Sequence, residues 1–395
     1  MSKILLISAV FPPEPVVSAS LSKDIAFELA KENKVTVLCP NPTRPHGFVF
    51  EKGLETTNYE VARLNSFTCS ESKIFSRFRE SYSFGKHCFK YIADNHKNID
   101  LIYANTWPLF AQYFTVKAAK KYNIPVTIHV QDMYPESLSN KVPVLKNLVN
   151  IFLLPIDKYV LVNAHKVIAI SNQMKNYLVQ TRKIESGKIE VVQNWQDEEA
   201  FITYEISNNL TCAKTKPFTF MYLGNIGPVA GIDLLIEAFT SFDLLSSRLV
   251  IAGSGSMKDS LEKMVKNKKV ENIEFWSVPD GKVPEIQSHA DVLLLPIKKG
   301  AATSSIPSKL PAYMFSKKPI LALVDKDTVT YNAILEADCG WLVEPGNLEN
   351  LIEKNLEILR TDQLKLKKLG DNGYRFSLKY YSKKTQLNKL LKLLK

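Results

Sequence analysis

The sequence predicts an α/β protein made of two doubly wound, Rossmann-like domains that face a central cleft. Short strand-like runs alternate with amphipathic stretches of roughly 10–18 residues along most of the chain, which is typical of βαβ units. Runs such as Ile4–Ile7 and Val292–Leu295 are apolar on both faces, as parallel strands covered by helices are. A polar stretch at 194–217 interrupts this alternation, and a second α/β series follows it.

The predicted strands follow in chain order, with amphipathic segments between them. In the first half they are 3–10, 34–39, 100–105, 125–130, 166–170 and 188–193. In the second half they are 218–223, 248–252, 272–277, 291–295, 319–324 and 340–343. Each amphipathic segment predicts a helix that covers the sheet of its own half.

The polar stretch sets the expected domain boundaries. We expect an N-terminal domain at 1–195, a linker at 196–217, a C-terminal domain at 218–375 and a final helix at 376–395 that packs back towards the N-terminal domain. Because doubly wound domains bind ligands beyond the carboxyl ends of their strands, two facing domains predict one shared site in the cleft.

Composition is that of an ordinary globular protein, with 45% apolar and 23% charged residues. Five widely spaced cysteines without a C-x-x-C pair argue against a disulfide framework or a zinc ribbon and fit a reducing cytoplasm. The apolar run at 4–11 stops at prolines, unlike a signal peptide. The stretch 148–164 contains Asn150, Pro155, Asp157 and Lys158 and is too polar to span a bilayer.

The charge is uneven, with a net +8 in 1–195 and +3 in 196–395. A basic half can serve an anionic ligand, an anionic membrane or solubility alone. The segment 73–91 interleaves cations with aromatic residues and can lie at an anionic membrane interface, although packing of Phe78, Tyr82 and Phe89 into a core is the alternative. Nucleic-acid binding is not expected, because no recognition module is present.

The first candidate site is a glycine-rich turn that follows the strand 218–223. It contains Gly224, Asn225, Gly227 and Gly231 and leads into an amphipathic helix whose face holds Ile232, Leu235, Ile236 and Phe239. Glycines allow the backbone to approach a phosphate, and a helix N-terminus offers free N–H groups. An ordinary strand-to-helix turn remains the alternative.

The second candidate is Lys309, which follows a small polar loop at 300–305 and opens a helix. A cation in the first helical turn opposes the helix dipole, and a bound anion would resolve that conflict. We therefore interpret Lys309 as a phosphate ligand, with a lysine that extends into solvent as the alternative.

A third cluster lies where the strand 125–130 ends. His129, Asp132 and Glu136 stand at the edge where a doubly wound domain places its ligand, and a carboxylate there can orient or deprotonate a hydroxyl. The Pro-rich loop after the first strand lines the same edge; we expect Glu14 and Ser18 there to contact a ligand, while Ser18 and Ser20 are also plausible helix N-caps.

At these residues the chain resembles the retaining GT-B glycosyltransferases of family 4. The resemblance runs in order through the Pro-rich loop, the turn 169–171, the segment 191–197, the glycine turn, and the runs 250–255, 307–319 and 340–347. Three short runs, Asn194-Trp195, Asp132–Glu136 and Pro307–Lys309, are similar to a subgroup of N-acetyl-fucosamine transferases of surface-polysaccharide pathways.

The chain departs from the family pattern at two pairs of positions. Many members carry an Arg and a Lys in the glycine turn, where this chain has Asn225 and Ala230. Many also carry two Glu with seven residues between them, where it has Ser304 and Ala312. Lys309, the turn amides, Ser304 and Ser305 are then the candidates to hold the donor.

The resemblance implies transfer of a sugar from a nucleotide-sugar, with UDP as the expected nucleotide, to a saccharide acceptor that is expected to be lipid-linked. It implies a donor in the C-terminal domain, an acceptor in the N-terminal domain, retention at the anomeric carbon and no metal or other cofactor. Lys309 would stabilise the leaving diphosphate, and Asp132 and His129 would act on the acceptor. The D-x-D run Asp325–Asp327 is expected not to bind a metal. The protein is expected in the cytoplasm, at the inner membrane face where it meets a membrane.

Two alternatives remain open at the level of sequence. A sugar-nucleotide epimerase of the same fold would need no acceptor. A catalytically silent nucleotide-sugar-binding subunit would explain why the usual Arg, Lys and Glu residues are absent.

Overall fold

A computed structural model describes residues 1–44, 50, 57–69, 74–105, 108–139, 146–207, 217–240, 247–301 and 307–395. It divides the chain into two compact units. The first unit contains Met1–Asn194 and Leu387–Lys395, and the second contains Trp195–Gln386.

The first unit is built on a seven-stranded parallel sheet in the order β3-β2-β1-β4-β5-β6-β7. Its strands are β1 (Lys3–Ile7), β2 (Lys34–Pro40), β3 (Glu60–Leu64), β4 (Leu101–Ala104), β5 (Val126–Val130), β6 (Lys166–Ala169) and β7 (Ile189–Val191). Its helices are α1 (Val17–Leu29), α2 (Ile74–Asn95), α3 (Leu109–Lys121), α4 (Glu136–Ser139), α5 (Lys146–Asn163) and α6 (Asn172–Arg182).

The second unit is built on a six-stranded parallel sheet in the order β10-β9-β8-β11-β12-β13. Its strands are β8 (Phe218–Leu223), β9 (Ser247–Ala252), β10 (Ile273–Trp276), β11 (Val292–Pro296), β12 (Ile320–Leu323) and β13 (Gly340–Val343). The helices that follow α6 are α7 (Glu199–Ser207), α8 (Ile232–Thr240), α9 (Lys258–Lys268), α10 (Val283–Ser288), α11 (Lys309–Phe315), α12 (Val329–Ala337), α13 (Leu348–Leu359), α14 (Gln363–Tyr380) and α15 (Lys383–Leu394).

The predicted α/β class with two Rossmann-like parallel sheets is confirmed. All strands of both sheets pair in parallel, and the central strands β1, β5, β8 and β11 are buried along most of their length because helices cover both faces. Strand β3 was not predicted, since it is an edge strand that leaves several residues exposed and lacks an apolar run.

The observed elements differ from the predicted domain boundaries in detail. Residue 376 lies inside α14, and the segment 196–217 contains α7. Within the described part of 1–395, no helix combines the length and the apolar character that a bilayer crossing requires.

The sheet order creates one switch point in each unit. At this point the chain connections that leave two neighbouring strands run towards opposite edges of the sheet. It lies between β1 and β4 in the first unit and between β8 and β11 in the second. Doubly wound sheets bind their ligands at the carboxyl ends of the strands at such points. The Pro-rich loop follows β1 and the glycine turn follows β8, so both candidate loops lie at a switch point.

Candidate functional site

Two glycine turns contact each other at the carboxyl edge of the second sheet. The Gly224 amide donates to the Ala252 carbonyl at 2.9 Å, and the Ile226 amide donates to the Ser254 carbonyl at 2.8 Å. A Cβ on Gly253 would lie 2.1 Å from the Gly224 carbonyl oxygen, and Gly253 has a φ of 137°. Only glycine fits there, so the turns after β8 and β9 form one continuous backbone surface.

The glycine turn also reaches the end of β11 across the switch point. The Lys298 amide donates to the Val229 carbonyl at 3.1 Å, and Gly231 adopts a φ of 63° immediately before α8. The predicted apolar face of α8 is buried as expected. Gly224, Gly227 and Gly231 therefore lie in one turn at the N-terminus of a helix, the arrangement that binds phosphates.

Asn225 is exposed at the tip of this turn. Its carbonyl oxygen accepts a 2.5 Å hydrogen bond from the Tyr222 hydroxyl. Burial raises the pKa of Tyr222, so this hydroxyl keeps its proton and acts as a donor. At the position where many family members carry a cation, this chain therefore has an asparagine whose backbone carbonyl is held by the Tyr222 hydroxyl.

Lys309 crosses directly over the glycine turn. Its Cε would lie 2.0 Å from a Cβ on Gly224, and its Nζ lies 5.3 Å from the centre of the Tyr222 ring. Burial lowers the pKa of Lys309, and within the described ranges no carboxylate forms an ion pair with it. A partly buried ammonium without a carboxylate partner creates a local positive potential that favours an anion.

Tyr313 holds the end of β8 under this lysine. Its hydroxyl donates to the Leu223 carbonyl at 2.9 Å and accepts from the Leu223 amide at 2.9 Å. Because Lys309 and Tyr313 belong to the same helix, α11, this pair of bonds fixes the position of the lysine relative to the glycine turn. Ser304 and Ser305, the other predicted donor ligands, lie outside the described residues.

Glu14 is buried and serves the backbone of the first unit. Its carboxylate accepts from the amides of Phe11, Thr43 and Arg44 at 3.0–3.4 Å, which joins the loops after β1 and β2. Ser18 lies within the first turn of α1, whose N-cap is Val16 rather than a serine. The structure thus gives Glu14 a positioning role and does not bear out the serine caps; contact of either residue with an acceptor stays a prediction.

His129 lies inside β5 and is completely buried. Its Nδ1 lies 2.6 Å from the Tyr103 hydroxyl, and burial lowers the pKa of the imidazole to about 3, an effect that a backbone group of Val192 opposes in part. A neutral side chain without exposed surface does not contact a substrate in this conformation. The structure therefore favours a positioning role for His129 over the predicted catalytic one.

Asp132 is exposed after the end of β5. It lines a cavity of about 280 Å³ together with Arg77, Phe78, Phe110 and Tyr134. This combination of a carboxylate, a guanidinium and aromatic rings suits a ligand with hydroxyl groups and apolar C–H faces. A larger cavity of about 730 Å³ lies at the opposite, amino-terminal edge of the same sheet, away from the switch point.

Glu136 forms part of a buried ion-pair network. Arg182 donates to both Glu136 oxygens at 2.7 Å, to Asp157 at 2.7 Å and to the Tyr134 carbonyl at 3.0 Å. Burial acts to raise the pKa of Glu136, but hydrogen bonds from Arg182 outweigh it and the net pKa is lowered. Glu136 is thus bound to Arg182, and contact of its carboxylate with an acceptor stays a prediction.

Sequence reasoning missed Arg182 and Tyr313. Both act through partners far away in the chain, since Arg182 is 46 residues from Glu136 and Tyr313 is 90 residues from Leu223. The available signals were weak: an arginine in the last turn of α6, and a tyrosine among the apolar residues that follow Lys309 in α11.

The D-x-D run contributes to loop structure. Asp325 accepts from the Gly300 amide at 2.7 Å, and Asp327 has a φ of 64°. Among the residues that the structure describes, no group of three His, Cys, Asp or Glu side chains converges on a metal site.

Comparison with known proteins follows the division of the chain. Residues 20–200 match the family model described as Glycosyltransferase Family 4, and residues 207–376 match the one described as Glycosyl transferases group 1. A curated relative, the probable glycosyltransferase WbjE of Pseudomonas aeruginosa, is 23% identical over 241 residues, which is 58% of this chain and 59% of WbjE. The chain thus spans about three fifths of that relative.

Solved glycosyltransferase structures share the fold over the whole chain. Anabaena Alr3699/HepE in complex with UDP has a TM-score of 0.68 and 18% identity, with 99% of each chain covered. WaaG, a glycosyltransferase involved in lipopolysaccharide biosynthesis, has a TM-score of 0.66 and 14% identity, with 100% of this chain and 99% of WaaG covered. Since both halves match glycosyltransferase family models in consecutive order and the fold agrees, the chain belongs to the GT-B glycosyltransferases of the family 4 type.

Proposed function

We propose that the protein is a glycosyltransferase that binds a UDP-sugar at the carboxyl edge of the second sheet. The observation that carries this proposal is the placement of Lys309 over Gly224, with no carboxylate paired to it among the described residues. A diphosphate between the lysine and the amides of the glycine turn would satisfy both. A neighbour of the same fold has been solved with UDP and with UDP-glucose, which supports this class of donor.

Lys309 would act on the leaving group. Cleavage of the glycosyl–phosphate bond leaves negative charge on the diphosphate and oxocarbenium-like charge on the sugar. A positioned ammonium and backbone amides stabilise that negative charge as it develops. Because the turn is fixed by its contacts with the β9 turn and with Tyr313, little reorganisation is needed during the reaction. No metal ion has a part in this proposal.

We infer that the acceptor saccharide binds to the first unit beside Asp132. The exposed carboxylate would orient the attacking hydroxyl, while the departing phosphate takes its proton. Attack from the face that the diphosphate leaves would retain the configuration of the anomeric carbon. Arg182 would hold the segment 132–136 in place, as its bonds to Tyr134 and Glu136 suggest.

The proposed pathway context is synthesis of a surface polysaccharide on a lipid-linked acceptor at the inner face of the cytoplasmic membrane. WaaG, a glycosyltransferase involved in lipopolysaccharide biosynthesis, has the same fold, which supports a polysaccharide acceptor. An N-acetylated deoxyhexosamine, as in the fucosamine transferase subgroup, remains our proposal for the transferred sugar.

The experiment is an assay of UDP release from a panel of UDP-sugars with and without saccharide acceptors. Release that requires an acceptor, with a product of unchanged anomeric configuration by NMR, is the expected result. Epimerisation of the donor without any acceptor would show the alternative epimerase. A donor that stays intact under all conditions would favour the binding subunit.

A further inference from the structure

The outer surface of α2, α3 and α5 combines cations with exposed apolar side chains. Helix α3 packs against both α2 and α5, so the three form one layer over the first sheet. We call the side of this layer that points away from the sheet the basic aromatic face. It consists of the exposed and half-buried residues of 74–95, 109–121 and 146–163.

Helix α3 contributes the centre of this face. It contains no acidic residue, and Lys117, Lys120 and Lys121 are exposed along it. The lysines lie near aromatic rings: Lys117 Nζ is 5.7 Å from the centre of the Tyr113 ring, and Lys120 Nζ is 5.9 Å from that of Tyr159. Such pairs keep cations beside rings at the surface.

Helix α2 supplies further cations and the most exposed ring of the face. Lys86 and Lys90 are exposed, and Lys86 Nζ lies 5.0 Å from the Tyr82 ring. Phe75 is 88% exposed. Phe78 and Tyr82 also pack on rings of α3, with centroid distances of 5.3–6.1 Å, so the aromatic stripe of α2 is partly a helix–helix contact.

Helix α5 supplies the aliphatic part. Leu148, Ile151 and Phe152 are 52%, 67% and 66% exposed. They are followed on the same helix by the exposed Lys158, whereas Asp157 is buried in its ion pair with Arg182. These exposed apolar residues cost free energy in water unless another apolar phase covers them.

The charge of the basic aromatic face indicates which apolar phase covers its exposed side chains. Within 74–95, 109–121 and 146–163, Glu80 and Asp157 are buried in ion pairs, and Asp94 is the exposed carboxylate. Exposed cations and rings with large aliphatic residues between them match a lipid surface that is anionic outside and apolar beneath. We propose that the basic aromatic face docks the first unit on an anionic lipid bilayer.

Vesicle binding tests this docking without any glycosyl transfer, so it can succeed or fail independently of the proposed function. The whole protein is mixed with vesicles of phosphatidylcholine alone, or of equal parts phosphatidylcholine and phosphatidylglycerol, and separated by flotation. We expect binding to the anionic vesicles that salt weakens, and little binding to the neutral ones.

Substitutions on the basic aromatic face test whether this face makes the contact with the vesicles. Lys117→Ser combined with Lys121→Ser should lower the partition coefficient by about fivefold for each cation removed. Phe75→Ser should lower the partition coefficient further.

The matched control is Phe27→Ser, which removes from α1 an exposed ring that has Lys31 nearby. The crossover from β1 to β2 through α1 runs towards the β3 edge of the sheet, whereas the crossovers through α2, α3 and α5 run towards the β7 edge. Because such crossovers are right-handed, α1 lies on the opposite face of the sheet from those three helices.

Three results would overturn the proposal. The first is equal binding of wild type to neutral and anionic vesicles. The second is the same loss of binding in the Phe27→Ser control as in the face variants. The third is displacement of the protein from vesicles by duplex DNA at equal phosphate concentration, which would assign the face to a nucleic acid. Thermal unfolding of every variant within a few degrees of wild type ensures that the differences report binding.

Discussion

Lys309 is the side chain on which the proposed donor site depends most. Lys309→Ala should lower turnover roughly tenfold or more, because the leaving diphosphate would lose its ammonium partner. Steady-state kinetics with saturating donor measure the effect. Lys317→Ala is the matched control, since Lys317 lies just beyond the C-cap Ser316 at the other end of the same helix and pairs with Glu205. Unchanged turnover in Lys309→Ala would remove the proposed role.

Arg182 is the buried cation that orders the segment next to Asp132. Arg182→Ala should lower the free energy of unfolding by about 3–5 kcal/mol, because it leaves Asp157 and Glu136 partly buried without their partner. Arg248→Ala is the comparison, since its partner Glu274 is 40% exposed and the loss should be about 1 kcal/mol or less. Urea unfolding monitored by fluorescence measures both; equal losses would contradict the prediction.

His129 should make the stability of the protein depend on pH. Its pKa is about 3 in the folded state, below the ordinary value of 6.5, so the unfolded chain binds a proton that the folded chain does not. Stability should therefore fall as the pH drops from 6.5 towards 3, by up to about 1.4 kcal/mol per pH unit from this residue.

His129→Gln isolates that contribution, because glutamine can still bond to the Tyr103 hydroxyl but does not titrate. Urea unfolding at a series of pH values should show a shallower slope for the variant between pH 6 and pH 3.5, which both lie inside the range from 6.5 to about 3, roughly half a unit from its ends. Parallel slopes for the two proteins would show that His129 is protonated or exposed in the folded state.

The sequence predicts where single residues lie in the fold, but it does not predict which side chains they contact. The sequence places Asp132 and Glu136 at the carboxyl edge of β5 because a buried strand ends just before them. It does not reveal that Glu136 is bound by Arg182, which comes from another helix 46 residues later. Tertiary contacts of this range depend on how helices pack, which local patterns do not specify.

The two glycine turns at the edge of the second sheet support each other. Gly253→Ala would place a methyl group 2.1 Å from the Gly224 carbonyl, so the backbone must move. We expect a loss of about 1–3 kcal/mol in stability and weaker nucleotide binding, because the shift displaces the turn under Lys309. Gly187→Ala is the control, since a Cβ there meets nothing within 4 Å. Calorimetric unfolding with and without UDP measures both; identical behaviour of the two variants would contradict the prediction.

Elements were predicted best where both faces are buried. The runs of β1, β5, β8 and β11 are mostly apolar and are buried along most of their length, and each predicted strand was found. The edge strand β3 escaped prediction because the short sequence Glu60–Leu64 mixes charged and apolar residues in a partly exposed position. The start of α1 was misplaced for a related reason: Val16 precedes the helix without a side-chain cap, so the usual serine signal pointed to the wrong residue.

At the scale of the molecule, the chain consists of two compact units that each have a parallel sheet and a hydrophobic core. The class of fold followed from periodicity alone, because strand–helix alternation permits few other architectures. The donor chemistry did not follow in the same way. The usual basic residues are absent from the glycine turn, and only the structure shows that a lysine from α11 lies over it.

The measurement that tests the donor site most directly is thermal unfolding with UDP, GDP, dTDP and CMP in turn, on wild type, Lys309→Ala and Lys317→Ala. A nucleotide present at about 100 times its dissociation constant should stabilise the folded protein by roughly 2.7 kcal/mol. We predict stabilisation by UDP in wild type and in Lys317→Ala, and none in Lys309→Ala. If no nucleotide stabilises wild type, or if UDP stabilises Lys309→Ala as strongly as wild type, the proposed diphosphate site is wrong.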